Sequence, residues 1–203
     1  MGFYRRTRLD WRDWNPGLDN DDRDLGDCLD SLPGATASAI PLLVRLFENP
    51  ASPLALPGAI TLERHDALHV LLGRGLMAQD EAFVIGFTMG SDTRVRPRHH
   101  RLFRWLATRL YRKPYRLKPH HLLAFDLGFG FGQEQHCRNF HDFPFEERKD
   151  ATLGELRAEL GLNIHRLHAL FNHEKVLIPA SEASKRLDLD WKGTDPSAIW
   201  RRE

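Results

Sequence analysis

The residues best equipped for chemistry in this chain are His65, Asp66 and His69, in the order His-Asp-Ala-Leu-His, followed after eleven intervening residues by Glu81. On an α-helix, at about 100° per residue, the first three side chains leave the axis at roughly 0°, 100° and 40°, within one arc. Imidazole and carboxylate without thiolate suit a divalent ion of borderline softness, zinc foremost, with iron or manganese also accommodated. A straight helix would carry Glu81 about 18 Å past His69, too far to share an ion. Gly73 and Gly75 stand between them. If these glycines reverse the chain, His69 near the end of one helix and Glu81 near the start of the next come level. The plainer account is a polar face on an ordinary helix. Two other enzyme classes with similar letters fit less well. Zinc proteases carrying HExxH need glutamate where Asp66 stands. HD-type phosphohydrolases place a metal-binding histidine upstream of the doublet, and His65 is the first histidine in the chain.

The elements that must position these residues read as helices. Apolar residues fall at helical spacing over Ala35 to Phe47, from Thr61 to Leu72, from about Asp80 to Gly90, from Pro97 to Tyr111, from Pro119 to about Phe140, and from Leu153 to Phe171. β-branched residues are sparse and alternation is rare, so strands are not expected. The expectation is an all-α protein: one helical domain of about six helices over 35–172, an irregular arm over 1–34 that adds little to the core, and a C-terminal extension over 173–203.

Composition narrows the function classes. With 203 residues, 41% hydrophobic and 28% charged, the chain is long enough and apolar enough for a core, and disorder, collagen and coiled-coil rods are disfavoured. No apolar run approaches the roughly 20 residues of a membrane span, and the start of the chain lacks the apolar stretch of a secretory signal. The cysteines, Cys28 and Cys137, lie far apart without a CxxC, so neither a disulfide framework nor a thiolate metal site is expected, and a reducing cytoplasm is the default. The net charge of +1 conceals segregation. Between Asp92 and Asp126 there is no acidic residue, while Arg94, Arg96, Arg98, Arg101, Arg104, Arg109, Arg112, Lys113, Arg116 and Lys118 supply ten cations.

The His65, Asp66, His69 and Glu81 pattern resembles the signature of the coenzyme Q (ubiquinone) biosynthesis protein 4 family, residue for residue. Gly73 is similar to the glycine that follows the family's motif helix, and Leu153 to Gly161 resembles its C-terminal leucine-and-arginine helix ahead of a glycine. The resemblance spans about residues 35–165; Phe145-Glu146 stands where the family has Trp-Glu. It implies an all-helical protein that binds a divalent metal through the four motif residues and works on a polyprenylated quinone precursor. The implied activity is oxidative decarboxylation of a prenylated 4-hydroxybenzoate-type ring, carboxyl giving way to hydroxyl. The alternative is a non-catalytic isoprenoid-lipid binder or scaffold that organises other quinone-biosynthesis enzymes.

A prenyl tail would need an apolar groove, for which the small residues Gly86, Gly90, Gly128 and Gly132 are the cue; tight helix packing is the competing account. The basic belt, with Arg94, Arg96, Arg98, Arg101, Arg104 and Trp105 foremost, suits an anionic membrane surface. The expected location is therefore the cytoplasm, peripheral on the inner face of a membrane. No zinc finger, RNP-type aromatic motif or helix-turn-helix accompanies the belt, so nucleic acid is not expected as partner. Self-association into a homo-oligomer is compatible with an apolar surface.

Overall fold

The protein is described here by a computed structural model, over residues 10–33, 49–113, 116–135 and 143–187. Among the described residues there are seven α-helices and no strand: α1 (Leu25–Asp30), α2 (Leu62–Leu71), α3 (Ala78–Ser91), α4 (Pro97–Trp105), α5 (His121–Glu134), α6 (Leu153–Leu160) and α7 (Ile164–Leu177). The all-α class is as expected. The helix expected over Ala35 to Phe47 lies outside the described residues.

The central element is α3, whose sequence is apolar on nearly every side and which is correspondingly buried. One side presents Phe83, Val84 and Phe87 to a core shared with Leu68 and Leu71 of α2, Leu156 of α6 and Leu167 of α7. The other presents Ala82 and Met89 to a second cluster containing Phe103, Leu106 and Phe125.

Its main partner is α5, and the two helices meet through glycines. A Cβ at Gly86 would overlap the Phe125 carbonyl oxygen, and one at Gly90 that of Phe129; in return, Gly128 lies against the Phe83 carbonyl and Gly132 against that of Phe87. Positions rise together on both helices, so α3 and α5 run parallel with their backbones in direct contact. The four glycines expected to line a prenyl groove are therefore filled by each other's helix. Close approach, with its gain in dispersion and Cα–H···O contact, offsets the roughly 1 kcal/mol that each helical glycine costs.

Four further expectations are corrected. The N-terminal segment over 10–33 adds more to the core than expected: Trp14, Leu25 and Cys28 are fully buried, and the Trp14 indole donates to Ser31 Oγ at 3.0 Å. Burying each large side chain contributes about 1.5–3 kcal/mol. The single helix expected over Leu153 to Phe171 is two. Gly161 adopts φ 74° and caps α6, and the Asn163 side chain then accepts the Arg166 N–H at 2.9 Å to open α7. Finally, α7 continues through the 172/173 boundary to Leu177, with Glu174 buried, so the last described segment is part of the same body. The helix from Pro97 also ends early as regular α-helix, widening over Leu106–Leu110 into a π turn whose Tyr111 N–H reaches the Leu106 carbonyl at 3.0 Å.

Candidate metal centre

Thr61 precedes α2, which then sets His65 and His69 one turn apart on one face. At its end the chain turns back. The Leu72 N–H bonds the Leu68 carbonyl at 2.9 Å and the Arg74 N–H that of His69 at 2.8 Å, with Gly73 between them at φ 65°. A Cβ at Gly73 would also press on the Gly17 carbonyl at 2.8 Å, so this reversal requires glycine. The next helix opens where the Asp80 carboxylate accepts the Met77 N–H at 3.2 Å. Glu81, in the first turn of α3, thereby faces His69, in the last turn of α2.

One ligand atom each from His65, His69 and Glu81 lies within 4.8 Å of the other two. His65 Nε2 stands 3.0 Å from Glu81 Oε2 and 2.9 Å from His69 Nε2, and His69 Nε2 is 3.5 Å from Glu81 Oε1. On the far side of its ring, His69 Nδ1 lies 2.7 Å from the Gly75 carbonyl oxygen. A carbonyl only accepts, so Nδ1 carries the proton, and the neutral ring presents the Nε2 lone pair to the group. The His69 side chain is fully buried, whereas those of His65 and Glu81 are 21% and 37% exposed. The set thus has a closed floor and an open side.

Its electrostatics favour a shared positive charge. Burial works against the protonated His69 ring, yet Glu81, aided by Asp66 and Asp80, raises its pKa above the ordinary value. Burial likewise works against the Glu81 carboxylate, but the charge of His69 and the contacts of His65 outweigh it and hold that pKa well below the usual range. A divalent cation would take the place of the protons that now balance this carboxylate. Two imidazole nitrogens and one carboxylate fit such an ion, and three protein donors leave a position for water or substrate, as catalytic zinc sites do and closed structural ones do not.

Asp66 does not join the three donors. It lies about 100° around α2 from His65 and is half-buried; burial raises its pKa while His65 and His69 pull it down. It acts as a neighbouring charge on the histidines.

Beneath the site lies a buried polar layer for which the sequence offers no local signal, because its members are about a hundred positions apart. Arg74, beside the turn, donates to Glu174 of α7 at 3.1 and 2.8 Å, and its guanidinium is sandwiched between the rings of Phe83 and Phe171 at 3.6 and 4.3 Å. Gln79 donates to the same Glu174 at 2.6 Å. Asp80 completes the layer 3.9 Å from Arg74; burial, only partly opposed by Arg74, pushes its pKa up to about 6.

Beside His65 a small cleft of about 30 Å³ runs between the 56–60 loop, α3 and α4. Its walls are mostly apolar, Leu56, Ile60, Ile85, Met89 and Phe103 lining it together with His65. The loop is anchored where the Gly58 N–H donates to Asp92 at 2.8 Å.

The basic-belt residues fall elsewhere, on and around α4. Arg94 pairs with Asp92 at 2.7 Å, Arg96 bonds backbone carbonyls of Thr93 and Val95, and Arg104 pairs with Asp126, which also meets His100 at 3.0 Å. Arg98, Arg101 and Trp105 are exposed. No described helix is long and apolar enough to cross a membrane.

Compared with protein families, with curated proteins and with solved structures, the chain matches none.

Proposed function

We infer that the chain is a metal-dependent enzyme of prenylquinone synthesis, holding a divalent ion through His65, His69 and Glu81 at an anionic membrane surface. The observation that carries the reading is the convergence of these three side chains, with an open side, at the wall of an apolar cleft. The resemblance of the motif supplies the substrate class, a ring of the prenylated 4-hydroxybenzoate type. A bound ion would supply Lewis acidity for a ring carboxylate or phenolate oxygen, with zinc the first choice and iron or manganese alternatives. Exchange of ring carboxyl for hydroxyl takes up water and releases carbon dioxide, two protons and two electrons, the electrons going to an external oxidant. The chain's own contribution is positional. Gly75 orients His69, Glu81 balances the charge, and Leu56, Ile60, Met89 and Phe103 would give the substrate an apolar wall beside His65.

A second reading, a lipid binder or scaffold for other enzymes of the pathway, is favoured by one observation: the donors come from two consecutive helices, so an ion would pin α2 to α3. Elemental analysis of the purified protein, run beside mass spectrometry of co-purifying lipids, separates the two. One equivalent of metal with a carboxylated prenyl-phenol supports the enzyme, and metal with a bare isoprenoid supports the binder. Absence of metal, with full metal-loading capacity retained in His65→Ala and Glu81→Ala, defeats both.

A further inference from the structure

We propose that the outward face of α4, continued by the π turn, is a docking surface for an anionic lipid bilayer. Arg98, Arg101, Leu102 and Trp105 recur at i, i+3, i+4 and i+7 and so share one side of the helix. The opposite side carries the buried Phe103 and leads into the buried Leu106. Apolar groups are nonetheless left on the outside. Leu102 is 40% exposed, Trp105 53% and Leu110, in the π turn, 39%. Around them Arg98, Arg101, Arg109 and Arg112 are exposed and have no carboxylate partner among the described residues. The acids that flank the stretch, Asp92 and Asp126, are already paired with Arg94 and Arg104. The local field is therefore positive although the whole chain carries only +1.

This combination selects among occupants. Aliphatic side chains and an indole beside guanidinium groups that meet no carboxylate among the described residues match the boundary between acyl chains and anionic head groups, where tryptophan partitions and cations gain from the surface potential. Phosphates of a nucleic acid would use the arginines but give Leu102 and Leu110 nothing to bury against. A second copy of the chain, meeting face to face, would set Arg98 and Arg101 against like charges. The inference rests on the functional reading only for the statement that the bilayer is where the substrate resides. It deepens that reading because Phe103, on the inner side of the same helix, lines the cleft beside His65, so docking would set a cleft wall close to the lipid.

The test is co-sedimentation of the full chain with vesicles of phosphatidylcholine alone or of phosphatidylcholine with phosphatidylglycerol, at low and high salt. Binding is expected only to the anionic vesicles and should weaken with salt. Arg98→Glu/Arg101→Glu should lower the partition at least about tenfold, since each cation near the surface is worth about fivefold. Trp105→Ala should lower it at both salt concentrations. Equal binding to neutral vesicles, no binding to either, or an unchanged partition in the charge-reversed variant with an unaltered circular dichroism spectrum overturns the proposal; so does displacement from anionic vesicles by a DNA duplex that Trp105→Ala no longer binds. Metal content is measured on the same samples. A His65→Ala protein that has lost its metal should still sediment, so failure of the metal reading and failure of the docking surface are separately visible.

Discussion

His69 donates its Nδ1 proton to the carbonyl oxygen of Gly75 at 2.7 Å, so the turn that brings α3 back beside α2 also orients the ring that the reversal delivers to Glu81. Positioning and tautomer come from one stretch of backbone. The glycine at Gly73 that permits the reversal therefore acts on the chemistry at a distance, through the direction in which Nε2 points.

Removing a donor should remove the ion. His69→Ala or Glu81→Gln leaves two protein ligands, and the affinity for zinc should fall by more than the 10- to 100-fold, roughly, that loss of an orienting partner alone costs. Asp66→Asn should keep one equivalent, because Asp66 stands outside the three converging donors. Competition titration with a chromophoric chelator measures both, and equal loss in Asp66→Asn and His69→Ala would show a fourth ligand. The pH dependence follows from His69. Its pKa lies above the ordinary 6.5, the ion needs the unprotonated ring, and so affinity should decline as pH falls through that raised value.

The glycines of α3 and α5 should differ sharply from their neighbour Gly130. Gly86→Ala and Gly128→Ala each drive a methyl group into a carbonyl of the facing helix, and overpacking against backbone should cost about 1–3 kcal/mol or more. Nothing lies within 4 Å of a Cβ at Gly130, where alanine should stabilise by about 0.5–1 kcal/mol through helix propensity. Thermal melts of the three variants check this: a fall for the first two, a rise of about 2–4 °C or less for the third. Stabilisation by Gly86→Ala would mean the helices are not in backbone contact.

The helices bearing the motif were legible because both signals are local. Spacing placed His65 and His69 on one face, and two glycines announced the turn that brings Glu81 to them. Elsewhere local reading failed for definite reasons. Gly161 sits inside a periodic apolar pattern, and periodicity alone cannot register that one left-handed residue resets the helix axis. Trp14 and Leu25 lie in a segment without helical period, yet depth of burial depends on what folds over them, here the α6 region, whose Ala151 carbonyl takes the Leu25 N–H at 3.0 Å. The Arg74–Glu174 pair joins residues too distant for any motif to connect.

That pair gives a further prediction. Both side chains are fully buried, so Glu174→Leu should strand the guanidinium with only Asp80, 3.9 Å away, and cost about 3–5 kcal/mol. Replacing both residues, Arg74→Leu with Glu174→Leu, should recover part of that loss, because the guanidinium is no longer stranded and only Asp80, 3.9 Å from Arg74, then lacks its counter-charge. Urea unfolding of the two singles and the double closes the cycle. A double variant as unstable as the sum of the singles would mean the pair is not energetically coupled.

Acid should loosen the cleft wall before it unfolds the protein. The Asp92 side chain, 4% exposed, accepts the Gly58 N–H at 2.8 Å and both the N–H and guanidinium of Arg94 at 2.8 and 2.7 Å. Burial would raise its pKa, but the bonds from Arg94 and Gly58 together overcome this and hold it at about 2 against an ordinary 3.8. A depressed carboxylate stabilises the fold above its unfolded pKa, so the contribution is complete above pH 3.8 and disappears as pH falls toward 2. Arg94 is 75% exposed, and solvent screening brings the expected contribution down to about 1 kcal/mol. Asp92→Asn should therefore be less stable than the parent at neutral pH by about that amount and should converge with it in acid. Amide hydrogen exchange at Gly58 should rise in the variant at neutral pH and in the parent only in acid. A stability gap that stays constant from neutral pH down to pH 2 would remove Asp92 as the anchor of the loop beside His65.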